Sequence, residues 1–256
     1  MKAGLALILV VAAQTICIAG ARAQATSAPN ALGRWKVDVE FTDMSKHSLR
    51  FDVQDAGRGS FLLLDTRSSL IEPAQPTEAK WSQLVANQLD FSGAVEFKIG
   101  NVGREVGLLV FKGTFETDDK VSGKVDFFHF IQDSKDPEPK AARTGSFIAT
   151  RVAGETSPKV QLLSPSFGKF KRGREVDVLW QADSRVPILA QQVFLSLDNG
   201  ETFAPISNEL DGAATEFAWI VPEELPTTKK ARLKIIVLNG IGDLAEVISE
   251  NTFKVR

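Results

Sequence analysis

The chain of 256 residues contains no tyrosine, one cysteine, two methionines and two histidines. A disulfide-stapled scaffold, a zinc ribbon and a thiol enzyme all need cysteines that are missing here. A zinc site needs three or four convergent ligands, which two isolated histidines, His47 and His129, do not supply. The net charge of −2 provides no basic field for nucleic acid. No G-x-S-x-G elbow, P-loop or dinucleotide fingerprint occurs. The neighbouring carboxylates Asp118-Asp119 and Glu223-Glu224 lie in polar connections. Being adjacent in the chain, they do not face each other across a substrate as glycosidase carboxylates must. These absences lead to the expectation of a non-enzymatic protein with no cofactor and no metal. What is present, 43% apolar and 24% charged residues, suits a folded globular protein.

The first residues read as an export signal. Lys2 supplies a positive start, residues 3–18 are almost uniformly apolar, and Ala21-Arg22-Ala23 has the small-x-small pattern that precedes cleavage. The run is short of the roughly 20 residues a spanning helix needs, and no second long apolar run follows. Cleavage is expected after Ala23, giving a secreted or periplasmic product with no membrane span. The sole cysteine, Cys17, would leave with the signal, which suits an oxidising exterior.

Residues 24–31 form a small-residue linker, and residues 32–152 read as one β domain. Trp35, Val37, Val39 and Phe41 alternate with polar residues, as in a half-buried strand. Similar runs separated by turn-forming residues amount to about eight strands, with no convincing amphipathic helix. Glycines interrupt the runs at Gly93, Gly107, Gly113, Gly123 and Gly145, where they allow the bulges and bends that let a sheet coil and close. An eight-stranded antiparallel barrel is expected, with a sandwich as the alternative. Gly33-Arg34-Trp35 on the first strand, with Arg151 on the last, resembles the lipocalin and calycin arrangement. That resemblance implies that Arg151 covers Trp35 near one barrel end, making Gly33, Trp35 and Arg151 structural.

After a second linker at residues 153–158, residues 159–256 contain seven short strand patterns with regular turns. This is the signature of an immunoglobulin-like sandwich. Leu163-Ser164-Pro165, Val178-Leu179-Trp180 and Trp219-Ile220-Val221-Pro222 resemble a bacterial extracellular immunoglobulin or fibronectin-III-like module. The resemblance implies a spacer, an adhesive module or a support for its neighbour. Residues 196–203 fit the Asp-box consensus once. Ser196, Asp198, Gly200 and Phe203 are expected to stabilise a hairpin, Asp198 by accepting amide bonds and Phe203 by packing on the core.

One hairpin is apolar on both faces. Val106, Leu108 and Val110 alternate with Leu109 and Phe111, and Phe128 and Phe130 alternate with Phe127 and Ile131. Strands buried on both sides read this way. The outer face, Val106, Leu108, Val110, Phe128 and Phe130, is therefore a candidate interaction patch, covered by the second domain, a loop or a partner. An exposed patch of this kind marks a binding site. Eleven of the 17 phenylalanines lie between Phe41 and Phe147, enough bulk to fill a small barrel. The expected function is binding, adhesion or envelope structure, with a protein or glycan as partner. The alternatives are a lipocalin-like carrier of a small apolar ligand and a secreted carbohydrate-active enzyme with an accessory module.

Overall fold

A computed structural model describes residues 29–65, 70–71, 74–99, 103–130 and 140–256. The proposed signal, its cleavage point at Ala23, and Ile131 lie outside the described residues. The period-2 alternation in the first half resolves into eight strands: β1 Gly33–Phe41, β2 Lys46–Val53, β3 Arg58–Leu63, β4 Thr77–Ser82, β5 Gln88–Ile99, β6 Gly103–Thr117, β7 Lys120–His129 and β8 Arg143–Arg151. Each strand pairs antiparallel with the next, and β1 pairs with β8 through Trp35↔Arg151 to Phe41↔Gly145, so the sheet closes into a barrel.

The barrel closes tightly at its glycines. A Cβ on Gly123 would stand 2.0 Å from the Lys112 carbonyl oxygen, and one on Gly145 would stand 2.3 Å from that of Glu40. Any side chain there would push neighbouring strands apart, which is why the interior glycines sit where backbones approach closely. The other residues of the inner face fill the space. Phe51, Phe91 and Phe111 form a stack with ring centroids 4.7 and 4.3 Å apart, and Phe61 and Phe147 meet Phe111 edge-on. Every residue of this core exposes 5% or less of its surface. Among the described residues these rings pack against one another through the middle of the barrel.

The second unit is also all β, but more finely divided than the seven runs of the sequence suggest. It comprises β9 Lys159–Ser164, β10 Lys169–Phe170, β11 Glu175–Asp183, β12 Ile188–Ser196, β13 Ala204–Pro205, β14 Leu210–Asp211, β15 Glu216–Ile220, β16 Thr228–Asn239, β17 Leu244–Ile248 and β18 Phe253–Val255. Seven of them form a mixed sheet in which β10 and β18 run parallel, and β15, β11 and β9 form a second sheet. Trp180, Trp219, Phe170, Phe253 and the inward residues of β16 form the core between them. Strands of two residues, such as β13 and β14, are too short to leave a periodic trace in sequence, which accounts for the extra divisions.

Candidate functional site

Five polar or apolar clusters lie at defined places on this frame: two at the barrel ends, one on its wall, one between the domains and one at a turn of the second domain.

At one end, Ala31 and Trp35 are buried, and the Trp35 indole donates to the Ala31 carbonyl at 2.8 Å. The Arg151 guanidinium lies over Trp35, its central carbon 4.3 Å from the ring centroid. It donates to the Leu32 carbonyl at 2.6 Å and the Asp118 carbonyl at 3.0 Å, and pairs with Asp119 at 2.9 Å. Arg151 thus ties the chain entering β1 to the β6–β7 turn. Gly33, with φ of 117°, has the Arg151 Nη1 within 3.2 Å of where a Cβ would stand.

At the opposite end, Arg143 acts as a stopper. Its guanidinium carbon lies 4.8, 5.2 and 4.9 Å from the rings of Phe41, Phe97 and Phe127. Cation–π contacts of this kind strengthen when the cation is desolvated. Glu105 pairs with Arg143 and has the His129 Nε2 at 3.4 Å. His47, which its polar sequence surroundings suggest is solvent-facing, is partly buried instead. It stacks on Phe97 with centroids 4.1 Å apart and shares a 2.9 Å hydrogen bond with Asp65. Antiparallel closure brings the end of β1, the start of β2 and the end of β5 to the same rim, a proximity that local sequence does not encode. Asp43 is held below the ordinary carboxyl range by the Ser45 hydroxyl and, next, the Ser45 amide. Among the described residues no group of three or more His, Cys, Asp and Glu is arranged to hold a metal ion.

On the barrel wall, the side chains of β6 alternate as their pattern requires. Leu109 and Phe111 are fully buried inside, and Val106 points outward with 45% exposure. Leu108 stands between Ala94 on β5 and Phe128 on β7, and the Phe130 amide donates to the Val106 carbonyl at 3.3 Å. Phe130 is 57% exposed, and Leu108, Val110 and Phe128 are half-buried. The five residues form one contiguous apolar strip. Val110 also lines a shallow hollow with the exposed Lys80, Asp90 and Lys112, so the apolar strip does not extend into it.

The second domain does not cover this strip. Its β16–β17 turn, residues 239–243, meets the outer side of β1, β2 and β3. Asp243 accepts from Arg34 at 2.8 Å, from Arg50 at 2.9 Å and from the Thr156 hydroxyl at 2.5 Å. Asp52 braces both arginines, at 2.8 Å from Arg34 and 2.9 Å from Arg50. Burial works to lower the Arg34 pKa, but the hydrogen bond and charge of Asp52, aided by Asp243, overcome it and raise the value. Ile241, at the turn's tip, is buried, and Gly242 lies so close to Leu62 that a Cβ would stand 2.6 Å from its Cδ2. Sequence reasoning missed this interface. The one trace it leaves is an isoleucine between two glycines in an otherwise polar turn.

In the second domain, Ser196 donates to Asp198 at 2.6 Å, the Thr202 amide donates to it at 3.0 Å and the Thr202 hydroxyl at 2.5 Å. Asn199 and Gly200 take positive φ values of 74° and 94°. Phe203, expected in the core, lies on the outer side of the sheet instead, where the Lys234 Nζ stands 4.4 Å from its ring and 5.4 Å from that of Phe194. The reason is register. Lys234 alternates with the core residues Leu233 and Ile235, so a ring that meets Lys234 is on the far face.

No protein family's sequence profile matches the chain, and no curated protein does. A solved structure described as "Structure of EF1p2_mFAP2b bound to DFHBI" matches 50% of this chain and 100% of its own, at 11% identity and a TM-score of 0.32. That likeness is too slight to carry an argument. Among the described residues no helix is long and apolar enough to cross a membrane.

Proposed function

We propose that this is an exported, non-enzymatic binding protein of the cell envelope or exterior, whose first domain engages a protein partner through the β6–β7 wall. The observation that carries the reading is the contiguous strip of Val106, Leu108, Val110, Phe128 and Phe130, outward-facing on a barrel whose interior is already full. A carrier of a small apolar ligand needs an empty barrel, and the Phe51–Phe91–Phe111 stack occupies that space. Arg143 plugging one end and Arg151 covering Trp35 at the other weigh against a ligand entrance as well.

The Trp35–Arg151 stack supports a lipocalin- or calycin-like origin for the barrel. The two facing sheets around Trp180 favour an immunoglobulin- or fibronectin-III-like module for the second domain, and the Asp198 hydrogen bonds favour an Asp-box turn within it. In this reading the module is a support, locked onto the barrel through Asp243 on the side away from the strip.

The test is site-specific photocrosslinking in the producing cells, with a photoreactive residue at Leu108 or Phe128 and, as a control, at Ile220. Ile220 is 65% exposed on the second domain. Discrete adducts from positions 108 and 128, lost when Phe130→Ser is added, are the expected result. Adducts equal to those from position 220, or none, would reject the proposal.

A further inference from the structure

The outer face of the large sheet in the second domain carries a row of cations without carboxylate partners. Lys169 on β10 stands beside Lys254 on β18, and Phe170 beside Val255. Phe170 and Val255 are buried in the core, so strand alternation turns Lys169 and Lys254 outward. On the other side of β18 the pairing with β16 slips between Thr228 and Ala231, and both Lys229 and Lys230 fall opposite Lys254. Lys171 follows on β10's exit, where the next amide, that of Arg172, donates to the Arg256 carbonyl at 3.0 Å.

Further along β16, Lys234 has Glu246 at 3.6 Å. Among the described residues no carboxylate lies within ion-pair distance of Lys169, Lys171, Lys229, Lys230 or Lys254. Like charges directly across a strand pair weaken it. Residues 159–256 contain thirteen carboxylates and twelve cations, so this cluster is a local segregation of charge rather than a consequence of a basic domain.

A second feature adjoins the row. Phe167 is 80% exposed at the tip of the loop between β9 and β10. The loop is anchored: the Asn251 side-chain amide donates to the Ser166 carbonyl at 3.1 Å, and the Lys254 amide to the Gly168 carbonyl at 3.3 Å. Gly168 takes a φ of 132° with open space around it, a backbone shape that an L-residue adopts at a cost. The result is a ring held out into solvent two residues before Lys169.

The geometry points to a docking face for an anionic phospholipid bilayer, with the lysine row against the headgroup phosphates and Phe167 entering the interface. A polyanionic glycan would satisfy the lysines equally well and could lay a sugar face on the ring, but a phenylalanine held out on an anchored loop gains most by leaving water for the acyl boundary of a bilayer. The ring therefore decides for the bilayer. This face is separate from the barrel-wall strip and stands without it.

The test is co-sedimentation of the chain from Gln24 to Arg256 with vesicles of phosphatidylglycerol and phosphatidylethanolamine, compared with vesicles of phosphatidylcholine. Binding to the anionic vesicles alone, lost in high salt, is expected. Each lysine near an anionic leaflet contributes about fivefold, so the double variant Lys169→Glu/Lys254→Glu binds at least about tenfold more weakly. Phe167→Ser weakens binding severalfold at unchanged charge. Lys254→Gln weakens it too, with the melting temperature unchanged or raised as the repulsion is relieved, which separates loss of binding from loss of fold. Equal binding to neutral vesicles, full binding by the double variant, or binding to heparin with none to vesicles would overturn the assignment.

Discussion

Asp198 receives three hydrogen bonds that all favour its ionised form, from the Ser196 hydroxyl first and then from the Thr202 hydroxyl and amide, and these hold its carboxyl well below the ordinary range. In the unfolded chain the group titrates near its usual value of about 4. With the folded pKa the lower of the two, the contribution to stability is fully present above that unfolded value and is lost as pH falls through the folded one. Asp198→Asn is expected to lower the melting temperature at neutral pH and to flatten its fall below about pH 4. Melts of both proteins from neutral to strongly acidic pH check this, and parallel acid limbs would contradict it. The turn was legible in the sequence because Ser196, Asp198, Gly200 and Thr202 act on one another within seven residues. The side on which Phe203 packs was not legible, since it depends on where β12 and β16 place Phe194 and Lys234.

The strands of the barrel were legible for a similarly local reason. Alternation in β1, β6 and β7 gives both the element and its inner face, and the two apolar faces of β6 and β7 follow from the same count. The β6–β7 hairpin turns at Thr117↔Lys120, and an irregularity between Phe115 and Thr117 then shifts the register to Phe115↔Val121. What alternation does not give is which rim two strand ends share. Arg143 at the start of β8 and Phe97 near the end of β5 are 46 positions apart in the chain, yet closure sets the guanidinium 5.2 Å from that ring. The place of His47 escapes a local reading for the same reason, its polar neighbours giving no hint of Phe97 or Asp65. In the second domain the two-residue strands β13 and β14 exist only through their pairing with β12.

For the molecule as a whole, the contact around Asp243 decides whether the two domains behave as one body. Asp243 and Arg50 each expose only 10% of their side chains, while Arg34 keeps 31%. Removing the carboxylate leaves two arginines short of a partner next to Ile241 and Leu62. Breaking a buried pair in this way costs about 3 kcal/mol, the low end of the usual range, because Arg34 can still reach water. Asp243→Ala is therefore expected to lose about that much stability and to split one calorimetric transition into two. A single transition at an unchanged temperature would mean the domains are not coupled through this turn.

In the proposed function the barrel is full and binding occurs on its outside. Isothermal titration of the chain from Gln24 to Arg256 with a long-chain fatty acid below its micelle concentration tests it most directly, with Phe111→Ala alongside. The expected result is no stoichiometric uptake by the native barrel, and uptake only once the removed ring opens space in the aromatic stack. Saturable one-to-one binding by the native chain would contradict the claim and make the protein a carrier.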